Sequence, residues 1–139
     1  LKLSEYTISK KEIMLVKEFS DNIPDLTADS NKLEQVFLNL IINAVQAMSA
    51  DSDHPRVLTI KTWHDAGICY ISVKDTGRGM PDNIITRIFD PFFTTKGIGE
   101  GTGLGLTVSK AIVEQHKGAI EVETSDTGAT FIVKLPIKT

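Results

Sequence analysis

Two pairs of β-forming runs, each closed by a tight turn, limit what this chain can become. Arg56–His64 and Ile68–Asp75 are joined by Asp65-Ala66-Gly67, and Ala119–Ser125 and Thr130–Leu135 by Asp126-Thr127-Gly128. Runs of Val, Ile, Thr, Phe and Tyr bounded by Asp/Gly turns predict β-hairpins. Each hairpin follows a helix-periodic stretch. Within Lys32–Met48, Leu33, Val36, Phe37, Leu40, Ile41, Ala44 and Met48 recur every three or four residues as one apolar stripe, with Asp29 or Ser30 as cap. Leu106–His116 offers Val108, Ile112 and Val113 for packing and stops at Gly118. Glu12–Phe19 (EIMLVKEF) reads as a further strand, Asp21–Pro24 as a turn, and Pro81 as the start of a short helical piece. Strand, helix, hairpin, loop, helix, hairpin predicts an α+β fold: a two-layer α/β sandwich whose mixed, mostly antiparallel sheet is covered on one face by helices.

The 139 residues fit a single domain over 1–139, long enough to bury a core without disulfides. A net charge of −3 disfavours a nucleic-acid footprint. The lone Cys69 cannot form an internal disulfide and fits a reducing, cytoplasmic compartment. Asn39, Asn43 and Gln46 interrupt the longest uncharged apolar run, Val36–Ala50, so no transmembrane segment and no direct membrane contact are expected. The chain begins at Leu1 rather than methionine, which predicts a fragment of a parent protein.

Five of the ten glycines fall at Gly97, Gly99, Gly101, Gly103 and Gly105. Alternate glycines resist ordering as helix or strand, so the stretch is either a linker or a loop whose backbone approaches a ligand. It runs into a helix, whose N-terminal N–H groups and dipole favour phosphate. Neither a P-loop nor a dinucleotide fingerprint matches the string.

Asp75 is in phase with Cys69, Ile71 and Val73, so its carboxylate faces inward at a strand end. It is either a surface-turn residue or an acceptor for a buried donor, such as the amino group of adenine. Asn39 and Asn43, four apart, share a helical face. They are either two solvated polar positions or an amide face in which Asn43 offers its oxygen to Mg²⁺.

Four segments in this order resemble a known set. Asn39–Met48 (NLIINAVQAM) is similar to the N box of sensor histidine kinases, and Asp75–Gly79 (DTGRG) to their first glycine box. Phe89–Phe93 (FDPFF) resembles the F box, and Gly101–Leu106 (GTGLGL) the second glycine box. The chain thus resembles the ATP-binding catalytic domain of two-component histidine kinases, within the superfamily of HSP90, DNA gyrase and MutL. The wording NAVQAM and FDPFFTTK is most like the nitrogen-regulation subgroup. The resemblance covers about Glu12 to Pro136.

The resemblance implies a Bergerat-type sandwich holding ATP and Mg²⁺ beneath a lid of about Pro81–Thr102. Asp75 would accept the adenine amino group, with Gly77 allowing close approach of the base, and Gly79, Met80 and Ile88 would be further nucleotide-binding positions. Asn43 would hold Mg²⁺, with Asn39 assisting it or touching phosphate. Phe89, Phe92 and Phe93 would pack as the lid orders, Phe89 partly as core. Lys96 would contact phosphate, and Gly101, Thr102, Gly103, Leu104, Gly105 and Leu106 would cradle it. Thr130 would support Asp75. Gln46 stands where many members carry lysine, and Gly128-Ala129-Thr130, with Thr127 before it, replaces the usual Gly-x-Gly-Thr.

The implied activity is transfer of the γ-phosphoryl group to a histidine on a separate dimerisation domain, with Asn39, Asn43 and Lys96 as the catalytic set and a response regulator downstream. None of His54, His64 and His116 lies in a suitable helical motif, so the chain alone should not phosphorylate itself. The resemblance assigns dimerisation to the separate helical domain, so the chain alone should be a monomer. The rivals are an HSP90-, MutL- or gyrase-like hydrolase or clamp, an anti-sigma-type serine kinase, and a degenerate nucleotide-binding module. The hydrolase needs a glutamate four residues before the metal asparagine, where this chain has Asn39.

Overall fold

A computed structural model describes residues 13–19, 30–49, 56–77, 82–85, 87–90, 105–125 and 127–137. Its elements are β1 (Met14–Phe19), α1 (Ser30–Ser49), β2 (Val57–Asp65), β3 (Ile68–Lys74), the short α2 (Asp82–Ile85), α3 (Gly105–Gln115), β4 (Ala119–Ser125) and β5 (Gly128–Pro136). The five strands form one sheet in the order β1-β2-β3-β5-β4. Among the described strands only β1 and β2 pair in parallel, because α1 lies between them in sequence and a parallel pair needs such a crossover. The remaining pairs are antiparallel, so the sheet is mixed and mostly antiparallel as expected.

The apolar stripe of α1 makes the core. Val36, Leu40, Ile41, Ala44 and Met48 are buried against Leu58, Val73, Phe131 and Val133 of the sheet, with Phe37 partly buried beside them. The inward face of β3 is likewise as read: Cys69 and Val73 are buried, and Ile71 packs on the core. Across the other face Trp63 stacks on its cross-strand partner Tyr70, with centroids 5.1 Å apart.

The first hairpin turns through Ala66 and Gly67, both at positive φ, as a two-residue turn between right-twisting strands requires. In the second, Gly128 pairs with Ser125, so β5 starts two residues before the expected Thr130. Helix α3 departs from the reading in two places. Val108 is 37% exposed, and the inward stripe is Ser109, Ile112 and Val113. A hydroxyl therefore occupies the position that an apolar count had given to Val108. The left-handed residue at the helix end is Lys117 (φ 61°), not Gly118. Lys117 N–H donates to Glu114 O (2.9 Å) and Gly118 N–H to Val113 O (3.0 Å), the two bonds of a Schellman end. Glycine is needed at 118 for a different reason: a Cβ there would overlap the Lys134 carbonyl oxygen of β5.

Lysine carries the steric penalty of the left-handed conformation, which glycine does not. Lys117→Gly is expected to raise stability by roughly 0.5–1 kcal/mol. Urea denaturation checks this; an unchanged or lowered midpoint would refute it.

Candidate functional site

Asp75 follows β3 and continues its pairing, donating its own N–H to Ala129 O at 2.9 Å. Its side chain is 3% exposed. Oδ1 accepts from Gly77 N–H at 2.9 Å and from Ala129 N–H at 3.2 Å. Among the described residues no hydrogen bond falls on Oδ2. The carboxylate is thus fixed in orientation through one oxygen, with acceptor capacity left on the other.

Burial raises the Asp75 carboxyl above the usual aspartate range, while the Gly77 and Ala129 amides pull it partly back. The folded chain therefore holds this proton more tightly than the unfolded chain. Ionised Asp75 weakens the fold at neutral pH, and that cost fades as pH falls through the raised pKa toward the unfolded value. Asp75→Asn has no such charge. Its stability relative to the parent chain should be greatest near neutral pH and decline on acidification through the carboxylate range. Denaturation of both chains across pH checks this; a constant difference would contradict it.

Three neighbours explain why the loop after Asp75 holds its shape. A Cβ at Gly77 would lie 2.9 Å from the Ala47 carbonyl oxygen and 3.2 Å from Asp75 Oδ1, so the close approach that glycine permits is that of α1. Thr76 Oγ1 accepts from Val57 N–H (3.0 Å) and donates to Met48 Sδ (3.5 Å), joining loop, β2 and α1. Thr130 pairs with Lys74 and so lies in the opposite phase to Asp75; the strand's donor to the carboxylate is the Ala129 amide.

The asparagine pair faces the start of α3. Asn39 Nδ2 donates to Gly105 O (3.3 Å) and Ser109 Oγ (3.2 Å). Asn43 Nδ2 donates to Asn39 O (3.0 Å), which makes its amide oxygen the metal-type donor atom of that side chain. Both asparagines are half-buried. Leu106 packs on the core and Ile88 lies within it. Phe89, as expected, is partly core, edge-on to Phe131 at 6.4 Å. Its carbonyl accepts from Thr107 Oγ1 at 2.8 Å, and Lys110 Nζ lies 5.3 Å from its ring centroid.

Gly79, Met80, Phe92, Phe93, Lys96, Gly101, Thr102, Gly103 and Leu104, with most of the expected lid, lie outside the described residues. Those described bring Asp75, Gly77, Asn39, Asn43, Gly105 and Leu106 to α1 and the ends of β3 and α3. Thr76, Thr107, Ser109 and Ala129 were missed. For Ser109 a signal existed, a polar residue three and four before Ile112 and Val113; a backbone donor such as Ala129 leaves none.

Residues 28–139 match the family described as histidine kinase-, DNA gyrase B- and HSP90-like ATPase. The sensor histidine kinase ZraS of Escherichia coli K12 is 41% identical over 138 residues, 99% of this chain and 28% of ZraS. The signal transduction histidine-protein kinase AtoS of the same organism is 42% identical over 124 residues, 88% of this chain and 19% of AtoS. The chain thus spans less than a third of either relative. The catalytic domain of histidine kinase ThkA superposes with a TM-score of 0.83 at 32% identity, covering 97% of this chain and 86% of that one. Full-length ShkA in complex with AMPPNP gives 0.85 at 28% identity, over 99% of this chain and 28% of that one. ThkA has also been solved with the response regulator TrrA (TM-score 0.79, 28% identity, 99% of this chain, 38% of that one).

The fold is that of a histidine-kinase catalytic domain, a mixed sheet backed by two long helices. The chain belongs to the histidine kinase-, DNA gyrase B- and HSP90-like ATPase family, and ATP is the ligand that membership assigns to it. No described helix is long and apolar enough to cross a membrane.

Proposed function

We propose that this chain binds Mg·ATP between α1 and the start of α3 and supplies the γ-phosphoryl group to a histidine on a separate dimerisation domain of its parent kinase. A response regulator would receive the phosphoryl group from that histidine. The observation that carries the binding reading is the buried Asp75 carboxylate, oriented through Oδ1 by two amides with Oδ2 unengaged by the described residues. The adenine amino group is the donor such an oxygen suits. ShkA, a structural relative, was solved with a nucleotide analogue, which supports the same reading.

The residues divide the work. Asp75 recognises the base. The first N–H groups of α3 face phosphate, where a helix N-terminus favours negative charge. Asn43 would hold Mg²⁺ through its amide oxygen, the hard donor this ion takes, with phosphate oxygens and waters completing the shell. Bound there, the ion neutralises phosphate charge. Lys96 and the loop residues Gly101, Thr102, Gly103 and Leu104 would complete the cradle. Phosphoryl transfer asks mainly for this positioning and neutralisation.

One observation separates transfer from hydrolysis. The residue four before Asn43 is Asn39, an amide whose NH₂ is committed to Gly105 and Ser109. It has no basic group to take a proton from water. Nor, among the described residues, is a histidine poised as acceptor: His64 is exposed at the end of β2, and the His116 ring nitrogen Nδ1 lies 2.8 Å from Ile112 O of its own helix.

The test is incubation with γ-labelled ATP and Mg²⁺, with and without the dimerisation domain of a related sensor kinase. Label is expected on the acceptor histidine and none on this chain alone. Rapid labelling of the chain itself, or steady multiple-turnover hydrolysis without an acceptor, would contradict the proposal.

A further inference from the structure

Helix α3 buries a hydroxyl where its inward stripe calls for an apolar side chain. Ser109 is 0% exposed and lies in register with Ile112 and Val113. A buried hydroxyl persists only with a partner. Here the partner comes from the other helix: Asn39 Nδ2 donates to Ser109 Oγ at 3.2 Å and to Gly105 O at 3.3 Å. Gly105 and Ser109 are four residues apart, the two ends of the first turn of α3. An amide NH₂ has two hydrogens, so Asn39 satisfies both acceptors only while residues 105–109 stay helical. On its own side, the Asn39 carbonyl accepts from Asn43 Nδ2 at 3.0 Å.

We propose that Ser109 is a positioning residue for the phosphate end of the nucleotide site: through Asn39 it clips the first turn of α3 to the asparagine face of α1. The inference rests on the Mg·ATP reading above. A helix that starts on a glycine frays readily, because glycine loses most conformational freedom on ordering. Phosphate binding depends on where the first N–H groups of that helix point. The clip holds that turn at a fixed separation from Asn43. Asp75 is held instead by Gly77 and by Ala129 of β5, with no member of the clip. Loosening Ser109 therefore acts on the phosphates and spares the base.

Calorimetry on the 139-residue chain with Mg·ATP and, separately, with adenosine tests this. S109A is expected to weaken Mg·ATP about 3- to 10-fold, the loss of one buried hydrogen bond, and adenosine by less than about 2-fold. S109T, which restores the hydroxyl, should bind Mg·ATP more tightly than the isosteric S109V. Equal Mg·ATP affinity of the Thr and Val variants would overturn the proposal, as would a parallel loss of adenosine in S109A. If S109V does not fold by circular dichroism, S109A against S109T carries the comparison, with the same two outcomes. A parent chain that binds adenosine but shows no gain from the Mg·triphosphate overturns this inference while leaving base recognition standing; one that binds neither overturns the functional reading and this inference with it.

Discussion

Asp75→Asn is expected to weaken ATP binding about 100-fold or more and leave the fold intact. The two effects separate because of how the carboxylate is held. Oδ1 accepts two backbone amides, from Gly77 and Ala129, and an asparagine oxygen can accept both. Its NH₂ then occupies the place of Oδ2 and confronts the adenine amino group, donor against donor. A charge-assisted bond becomes a buried mismatch, which costs several kcal/mol, whereas loss of a single neutral bond costs about 1 kcal/mol. An acceptor at the same ring position, as in inosine triphosphate, should gain relative to ATP. Titration of both nucleotides into parent and variant reads the ratio. An unchanged preference for ATP in a folded Asp75→Asn chain would remove Asp75 from base recognition.

Gly128→Ala is expected to lower stability by roughly 3 kcal/mol and to abolish nucleotide binding under conditions where the variant is still folded. Gly128 has φ 142°, a conformation that L side chains avoid. A Cβ there would also overlap the Asp75 carbonyl oxygen and lie 3.1 Å from Thr76 Cα. Backbone has nowhere to yield, so β5 must move away from β3 where Ala129 holds Asp75 on both sides. The substitution touches no ligand. Urea denaturation measures the first effect, and adenosine titration below the transition the second. A stable variant with normal adenosine affinity would show that the hairpin does not position the carboxylate.

The architecture was legible because periodicity is a local signal. The α1 stripe from Leu33 to Met48 and the alternation from Cys69 to Asp75 needed only the spacings of a helix and a strand. The inward phase of Asp75 and the shared face of Asn39 and Asn43 came from the same arithmetic. What was not legible depended on the partner. Ser109 gains its role only beside Asn39, 70 positions away, which supplies its donor. Ala129 supports Asp75 through its amide, which every residue but proline carries and no side-chain pattern marks. Gly77 and Gly118 were rightly marked as places for glycine, but the neighbours that exclude a side chain, Ala47 and Lys134, belong to other elements. Lys117 shows the converse: its left-handed φ belongs, by composition, to the glycine beside it.

The most direct test of the account is a crystal structure of this chain with Mg²⁺ and a non-hydrolysable ATP analogue. The adenine amino nitrogen should lie within hydrogen-bond distance of Asp75 Oδ2, and the ion should be bound by Asn43 Oδ1 and the phosphates near the start of α3. A nucleotide seated elsewhere, or one that leaves both Asp75 and Asn43 without contact, would contradict it.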